Sequence, residues 1–171
     1  MKLRVALLAA FLCAGGAGSL LAATSTTTFT VSAAVAANCT ISVTPINMGN
    51  YDPVVTNATN PVSASGTLTI TCTKGTGPTI GLNGGNHAGA VSGVTRAMAN
   101  GTNMLGYELY QPASAPGNGG VWTDIGGANP LNAGVTPSKA PRSYVVNATI
   151  PGGQDASVGS YSDTITATVN F

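Results

Sequence analysis

The chain has 171 residues, a formal net charge of +1, and charged side chains at only 6% of its positions. Typical soluble domains have about a quarter. The length suits one domain with an appendage. Because no basic patch is present, nucleic acid is excluded as an expected partner. Thr, Ser, Asn, Gly and Ala must form most of the surface, so little charge repulsion would oppose association between copies.

The first residues are typical of a secretory signal peptide, predicted over residues 1–23. Lys2 and Arg4 precede an apolar stretch that begins at Val5 and gives way to small residues. The apolar run is too short to span a bilayer. A leucine three residues before the expected cut makes the cleavage site imperfect, which places it only to within a few residues. Cys13 lies inside this segment, and it lacks the preceding small residue expected of a lipoprotein cysteine.

Cys39 and Cys72 are the cysteines that remain after removal of the signal peptide. An even pair in an exported chain favours a disulfide. Two buried thiols are the alternative. The bridge would close a loop of about 34 residues, for which chain entropy gives roughly 3–4 kcal/mol.

The mature chain begins with an alternating run, "TTTFTVSAAV", whose larger or apolar side chains are Phe29, Val31, Ala33 and Val35. A single strand from here past Cys39 would exceed the usual length of about 3–10 residues. We therefore predict two units, a detachable strand over residues 24–37 and a domain over residues 38–171. An ordinary first strand and a disordered tail are the alternatives for the run.

Several further segments predict strands. "GTLTITCT" alternates, "PTIGLNGG" is a short strand leading into a turn, and "GVTRAMANGTNMLGYELYQ" is typical of a β-hairpin with an Asn-Gly turn. A short strand is predicted near Trp122, and another over "RSYVVNATIPGGQ". About seven or eight strands at this spacing indicate an all-β, two-sheet sandwich of immunoglobulin type. The antibody-like Cys-Trp-Cys order is missing.

The last strand ends on a large aromatic residue. From Thr164 the chain alternates, with one apolar face formed by Ile165, Ala167, Val169 and Phe171. Asp163 is expected to be a turn residue or the first residue of this strand.

Three pieces, "CTKG", "LGYELYQ" and "IPGGQDASVGSYSDTITATVNF", together with the two cysteines, resemble the spore coat protein U domain. That domain occurs in subunits of archaic chaperone–usher (Csu-type) pili. The resemblance implies an incomplete immunoglobulin-like, pilin-type sandwich that lacks its last strand. A chaperone strand would fill the gap first, and the N-terminal strand of another subunit would then replace it by donor-strand complementation.

Residue roles follow from this resemblance. The donor strand is assigned to Phe29, Val31, Ala33 and Val35, although Ala33 is smaller than a donor position is expected to be. The acceptor-groove and chaperone-binding strand is assigned to Ile165, Ala167, Val169 and Phe171. The implied partners are a periplasmic pilus chaperone, an outer-membrane usher and neighbouring pilus subunits in a head-to-tail fibre.

The resemblance also implies a function. It predicts export through the periplasm to the cell surface and a structural pilus subunit that supports adhesion and biofilm formation. A tip or minor adhesin, or an exported coat or matrix protein of the same fold, is the alternative.

Other chemistry has little support in the sequence. His87 is the only histidine and is interpreted as a solvated loop residue. The acidic residues stand singly, at Asp52, Glu108, Asp124, Asp155 and Asp163. We therefore expect no enzyme, no metal site and no cofactor. Tyr107, Tyr110 and Trp122 are assigned to core and sheet packing in preference to a sugar-binding platform.

Overall fold

The computed structural model describes residues 22–113 and 120–171. Most of the predicted signal peptide lies outside these ranges. The chain divides after Ala34 into two units, and the second runs from Val35 to Phe171. Within the described ranges, no helix is long and apolar enough to cross a membrane.

The described residues of the second unit form eight strands in two sheets, which confirms the predicted all-β fold. The strands are β1 (Cys39–Val43), β2 (Val62–Cys72), β3 (Thr79–Leu82), β4 (Arg96–Asn100), β5 (Asn103–Tyr110), β6 (Leu131–Asn132), β7 (Arg142–Ile150) and β8 (Ala167–Asn170). One sheet has the order β1-β2-β7-β5-β4, and the other has the order β6-β3-β8. All the neighbouring strands pair antiparallel.

Alternation along β2 builds the core, because successive side chains of a strand point to opposite faces. Leu68, Ile70 and Cys72 are buried. Thr67, which points to the other face of the strand, is exposed. Trp122 fills the space between the sheets with no exposed surface, and its Nε1 donates a hydrogen bond of 2.9 Å to the carbonyl oxygen of Ile80. Tyr107 is also buried. The assignment of these aromatic rings to the core is correct.

Two local predictions are confirmed. Cys39 and Cys72 form a disulfide between directly paired residues at the start of β1 and the end of β2. β4 and β5 form the hairpin, and Gly101 in its turn has a φ of 61°. A positive φ is readily adopted by glycine, which explains the Asn-Gly signal.

The prediction of a short strand near Trp122 is wrong. Val121 forms only an isolated bridge with Tyr110 at the side of β5. The chain then turns back, with the amide of Gly127 donating to the carbonyl oxygen of Asp124 at 2.8 Å. The short strand of this region is β6, which pairs with β3 instead.

The leading segment, which we define as residues 24–37, contains no strand. Phe29 and Val31 are 85% and 83% exposed, and Val35 is 85% exposed. Ala33 is also exposed. The predicted donor strand therefore has no partner strand among the described residues, and its role stays a prediction. From Ala36 onward the chain is fixed to the domain, since Thr73 Oγ1 donates to the carbonyl oxygen of Ala36 at 3.3 Å.

Candidate functional site: an open groove between two edge strands

An apolar groove of about 330 Å³ opens between the two sheets. β1 is the outermost strand of the five-stranded sheet, and β8 is the outermost strand of the three-stranded sheet. Among the described residues, each of them pairs on one side only. We call this space the β1–β8 groove. The residues that line it are Val43, Thr44, Pro45, Ile46, Met48, Leu82, Met98, Tyr107, Leu109, Val146, Ala148, Asp163, Ile165 and Ala167.

The four residues predicted for the groove strand lie in different surroundings. Ile165 and Ala167 line the groove, and Val169 packs against the core next to them. The intervening Thr166, Thr168 and Asn170 are exposed. Phe171 is 51% exposed. Ile165 and Ala167 are therefore the part of this apolar face that lies in the groove, and the final aromatic ring lies partly in solvent.

The opposite wall is formed by the chain that follows β1. Ile46 approaches β2 at Gly66, where an added Cβ would lie 2.7 Å from Ile46 Cγ1. The amide of Thr67 donates to Thr44 Oγ1 at 2.8 Å, and the amide of Thr44 donates to the carbonyl oxygen of Thr67 at 2.9 Å. Gly66 thus permits a close approach that fixes the floor of the groove.

One end of the groove is polar. The hydroxyl of Tyr107 donates to Asp163 Oδ2 at 2.8 Å, and the amide of Asn86 donates to Asp163 Oδ1 at 2.9 Å. Burial and the hydrogen bond to Asp163 raise the pKa of the Tyr107 phenol well above its usual range. His87 Nδ1 lies 3.9 Å from Asp163 Oδ1, and the imidazole is about one-third exposed, so it is half-buried and not fully solvated.

A buried ion pair lies behind this end. Arg96 donates to the carbonyl oxygens of Leu82 and Trp122, at 2.9 and 2.6 Å, and to Glu108 Oε2 at 3.4 Å. The amide of Thr95 donates to the other oxygen of Glu108. Burial lowers the pKa of Arg96, and the charge of Glu108 opposes that shift. Because these partners are internal, the pair holds the hairpin against β3 and the chain at Trp122.

The sequence did not indicate either arrangement. Asp163 and Glu108 stand singly in the chain, and their side-chain partners Tyr107 and Arg96 are 56 and 12 residues away, respectively. Glu108 alternates with the core residues Tyr107 and Leu109 in β5, so strand periodicity predicts an outward side chain and gives no signal that Glu108 is buried. In residues 22–113 and 120–171, no group of three His, Cys, Asp or Glu side chains is placed to hold a metal ion.

A second cavity of about 620 Å³ adjoins the groove, since Met48 and Met98 line both. Its other walls come mainly from the loops 47–53 and 156–161 and include Tyr51, Asp52 and Tyr161. The groove therefore continues past Met48 and Met98 into a more polar space.

A sandwich with a free edge strand and an apolar groove beside it is typical of the class of pilin-type folds. The model of the Spore Coat Protein U domain matches residues 25–168. The chain therefore belongs to the spore coat protein U domain family. It is also 35% identical over 136 residues to Protein U of Myxococcus xanthus, a match that covers 74% of this chain and 71% of that protein.

Two of the solved structures that match this chain are of pilus proteins. The fold is similar to that of a chain in the CsuC–CsuE chaperone–tip adhesion subunit pre-assembly complex of the archaic chaperone-usher Csu pili of Acinetobacter baumannii, with a TM-score of 0.52 and 27% identity. That match covers 80% of this chain, which spans only 40% of the length of the other chain. A more distant match, with a TM-score of 0.36 and 15% identity, is the E. coli Hda pilus minor tip subunit HdaB, covering 77% of this chain and 79% of that chain.

Proposed function

We propose that this chain is a structural subunit of a chaperone–usher pilus that polymerises by donor-strand complementation. The observation that carries the proposal is the β1–β8 groove, which is apolar, open and bordered by the free edge of β8. An unpaired edge strand with an apolar face readily pairs with another strand. The groove thus has the form of an acceptor for one added strand.

The leading segment has the pattern of the strand that would fill it. Its inward positions would be Phe29, Val31, Ala33 and Val35, spaced two residues apart like the apolar positions of β8 and its flanks. Three of these four side chains are exposed by more than four-fifths. Burying these apolar side chains in the groove of another copy is favourable by about 25 cal/mol per Å² of apolar surface removed from water. The head-to-tail contact would build an open fibre and not a closed ring.

The remaining partners follow from the same chemistry. A subunit with an open groove needs cover before assembly, which a periplasmic chaperone strand would supply. The match to a chain of a chaperone–subunit complex supports this partner. An outer-membrane usher would then exchange the chaperone strand for the leading segment of the next subunit, placing the fibre on the cell surface. There it would support adhesion and biofilm formation.

Assembly can be followed by expressing the chain with its chaperone and usher and running unboiled material on a denaturing gel. Strand-exchanged polymers should resist detergent and form a ladder. Deletion of residues 26–36 should abolish the ladder, and Val31→Asp should weaken it strongly, because a charge would be buried in an apolar groove. Thr30→Asp is the matched control, since it faces away on the same strand. A ladder that survives the deletion would contradict the donor assignment.

A tip subunit would behave differently in the same experiment. It would accept a donor strand from another subunit but would not donate its own. If purified copies of this chain never exceed a dimer with a second pilus subunit, the tip assignment replaces the proposed one.

A further inference from the structure

The charged side chains of the domain are separated along the direction of its strands. β2 crosses the domain in 11 residues, a length of about 35 Å. Lys74 follows its last residue, Cys72, by two positions. Lys139 and Arg142 lie at this same end, because β7 begins at Arg142 opposite Ile70. We call this the basic end.

Hydrogen bonds confirm that the two lysines share this end. The amide of Gly75 donates to the carbonyl oxygen of Thr136 at 2.9 Å, and the amide of Thr136 donates to the carbonyl oxygen of Thr76 at 2.7 Å. Lys74 and Lys139 are both exposed. Even if the carboxylate that follows Phe171 is counted here, the basic side chains exceed it by two.

The opposite end carries Asp52 and Asp155, and we call it the acidic end. β7 finishes there at Ile150, paired with Val62. The hydroxyl of Tyr51 donates to the carbonyl oxygen of Pro151 at 3.0 Å and accepts from the amide of Gln154 at 2.9 Å, which places the two aspartates on neighbouring loops. Backbone amides, that of Val54 first, lower the pKa of the Asp52 carboxyl, so it remains ionised.

The other charges do not disturb this separation. Arg96, Glu108 and the Asp163 side chain are buried. Asp124 is exposed and follows Thr123 in the chain. The carbonyl oxygen of Thr123 accepts from the amide of Leu82, the last residue of β3, which lies far from the basic end. Asp124 therefore also lies away from the basic end.

The leading segment leaves the domain at the basic end. Asn38 donates its amide to Thr73 Oγ1 at 3.1 Å, directly beside Lys74. β8 runs towards this same end, since Asn170 pairs with Thr79 at the start of β3. A leading segment inserted antiparallel to β8 would therefore leave the groove at the acidic end. A parallel insertion would bring two basic ends together.

We infer that the basic end of an incoming copy docks on the acidic end of the copy that holds its leading segment, steered by Lys74 and Lys139 facing Asp52 and Asp155. This inference rests on the proposed function, because the groove must bind the leading segment of a second copy. Continuity supports the location: Asp52 lines the second cavity, which joins the groove at Met48 and Met98. Complementary charges of this kind raise association rates by about 10–10³-fold and lose their effect as salt rises.

The test compares the growth of the detergent-resistant ladder with time in purified full-length chains at ~0.02 M and ~0.3 M NaCl, between which the Debye length falls about fourfold. Lys74→Gln with Lys139→Gln should slow growth about tenfold at low salt and remove most of the salt dependence. Ser65→Glu with Val145→Glu is the matched control. It gives the same net charge but places the change on the exposed middle of β2 and β7, away from the groove. Equal slowing in both double variants would overturn the inference.

A charge exchange gives a second test that does not depend on loss alone. Lys74→Glu with Lys139→Glu should slow growth more than the glutamine pair does, because like charges then meet. Adding Asp155→Lys to that variant should restore the rate at least about threefold at low salt. Asp155 is chosen because its side chain is exposed, whereas Asp52 caps its own loop. No recovery in the triple variant would also overturn the inference.

An uncharged peptide separates this inference from the proposed function. A capped peptide of residues 24–38 contains no ionisable side chain, so it should compete for the groove and shorten the ladder equally in wild type and charge variants. If the peptide competes but the charge variants grow at the wild-type rate, only the docking of the two ends is wrong. If wild type forms no ladder and the peptide binds nothing, the proposed function fails and this inference with it.

Discussion

A small set of buried polar side chains shapes the polar end of the β1–β8 groove. Asp163 is held by Tyr107 and by the amide of Asn86, and Gly85 allows this contact because any Cβ there would overlap the carboxylate. Arg96 and Glu108 lie behind it as a buried pair. Removing one partner of such a pair typically costs about 3–5 kcal/mol, since the other charge is left uncompensated. These residues therefore act on the groove by fixing its wall.

Tyr107 should make stability fall in alkaline solution. Its folded-state pKa is raised above the ordinary value of 10.0, so the stabilisation is complete below about pH 10. Above that pH the unfolded chain loses the phenolic proton while the folded chain keeps it. The free energy of unfolding should fall by up to about 1.4 kcal/mol per pH unit from this group. Urea unfolding between pH 8 and 11 measures the slope, and an equally steep slope in Tyr107→Phe would contradict the assignment.

Secondary structure was accessible from the sequence wherever one face of a strand is buried and the other exposed. β2, β7 and the chain leading into β8 keep this two-residue period, and they were predicted in the right places. The strand predicted near Trp122 is absent. The apolar residues there contribute the buried indole ring of Trp122 and a single bridge between Val121 and Tyr110. The roles of Asp163 and Glu108 were also missed, since pairing over long sequence distances leaves no local pattern.

The disulfide is the element-scale feature that should matter most for stability. It joins β1 to β2 across a loop that, by the chain-entropy model, is worth about 3–4 kcal/mol. Cys39→Ala combined with Cys72→Ala should lower the free energy of unfolding by about this amount in urea. Reducing agent should destabilise the wild type similarly and leave the double variant unchanged. A wild type insensitive to reduction would show that the bridge contributes little.

At the scale of the whole molecule, the proposed donor and acceptor are separate surfaces, so the two roles should be separable by mutation. Ala167 lines the groove and Thr168 faces outward. Ala167→Leu should obstruct the groove while leaving the leading segment intact. Such a copy can still donate, so mixing it with wild type should cap chains and shorten the ladder. Thr168→Leu is the matched control, and equal effects of the two variants would contradict the assignment of the groove.

The position of the disulfide also bears on how such a subunit would carry a load. Cys39 is the first residue of β1, two positions after the leading segment ends, and its partner Cys72 is the last residue of β2, the longest of the described strands. A pull on the leading segment reaches a covalent bond before it reaches any hydrogen bond between β1 and β2. Tension would pass directly into β2, an inner strand of the five-stranded sheet, and β1 could not be separated from β2 starting at the end that carries the disulfide. The bridge would then serve the fibre as a mechanical clamp as well as serving the fold.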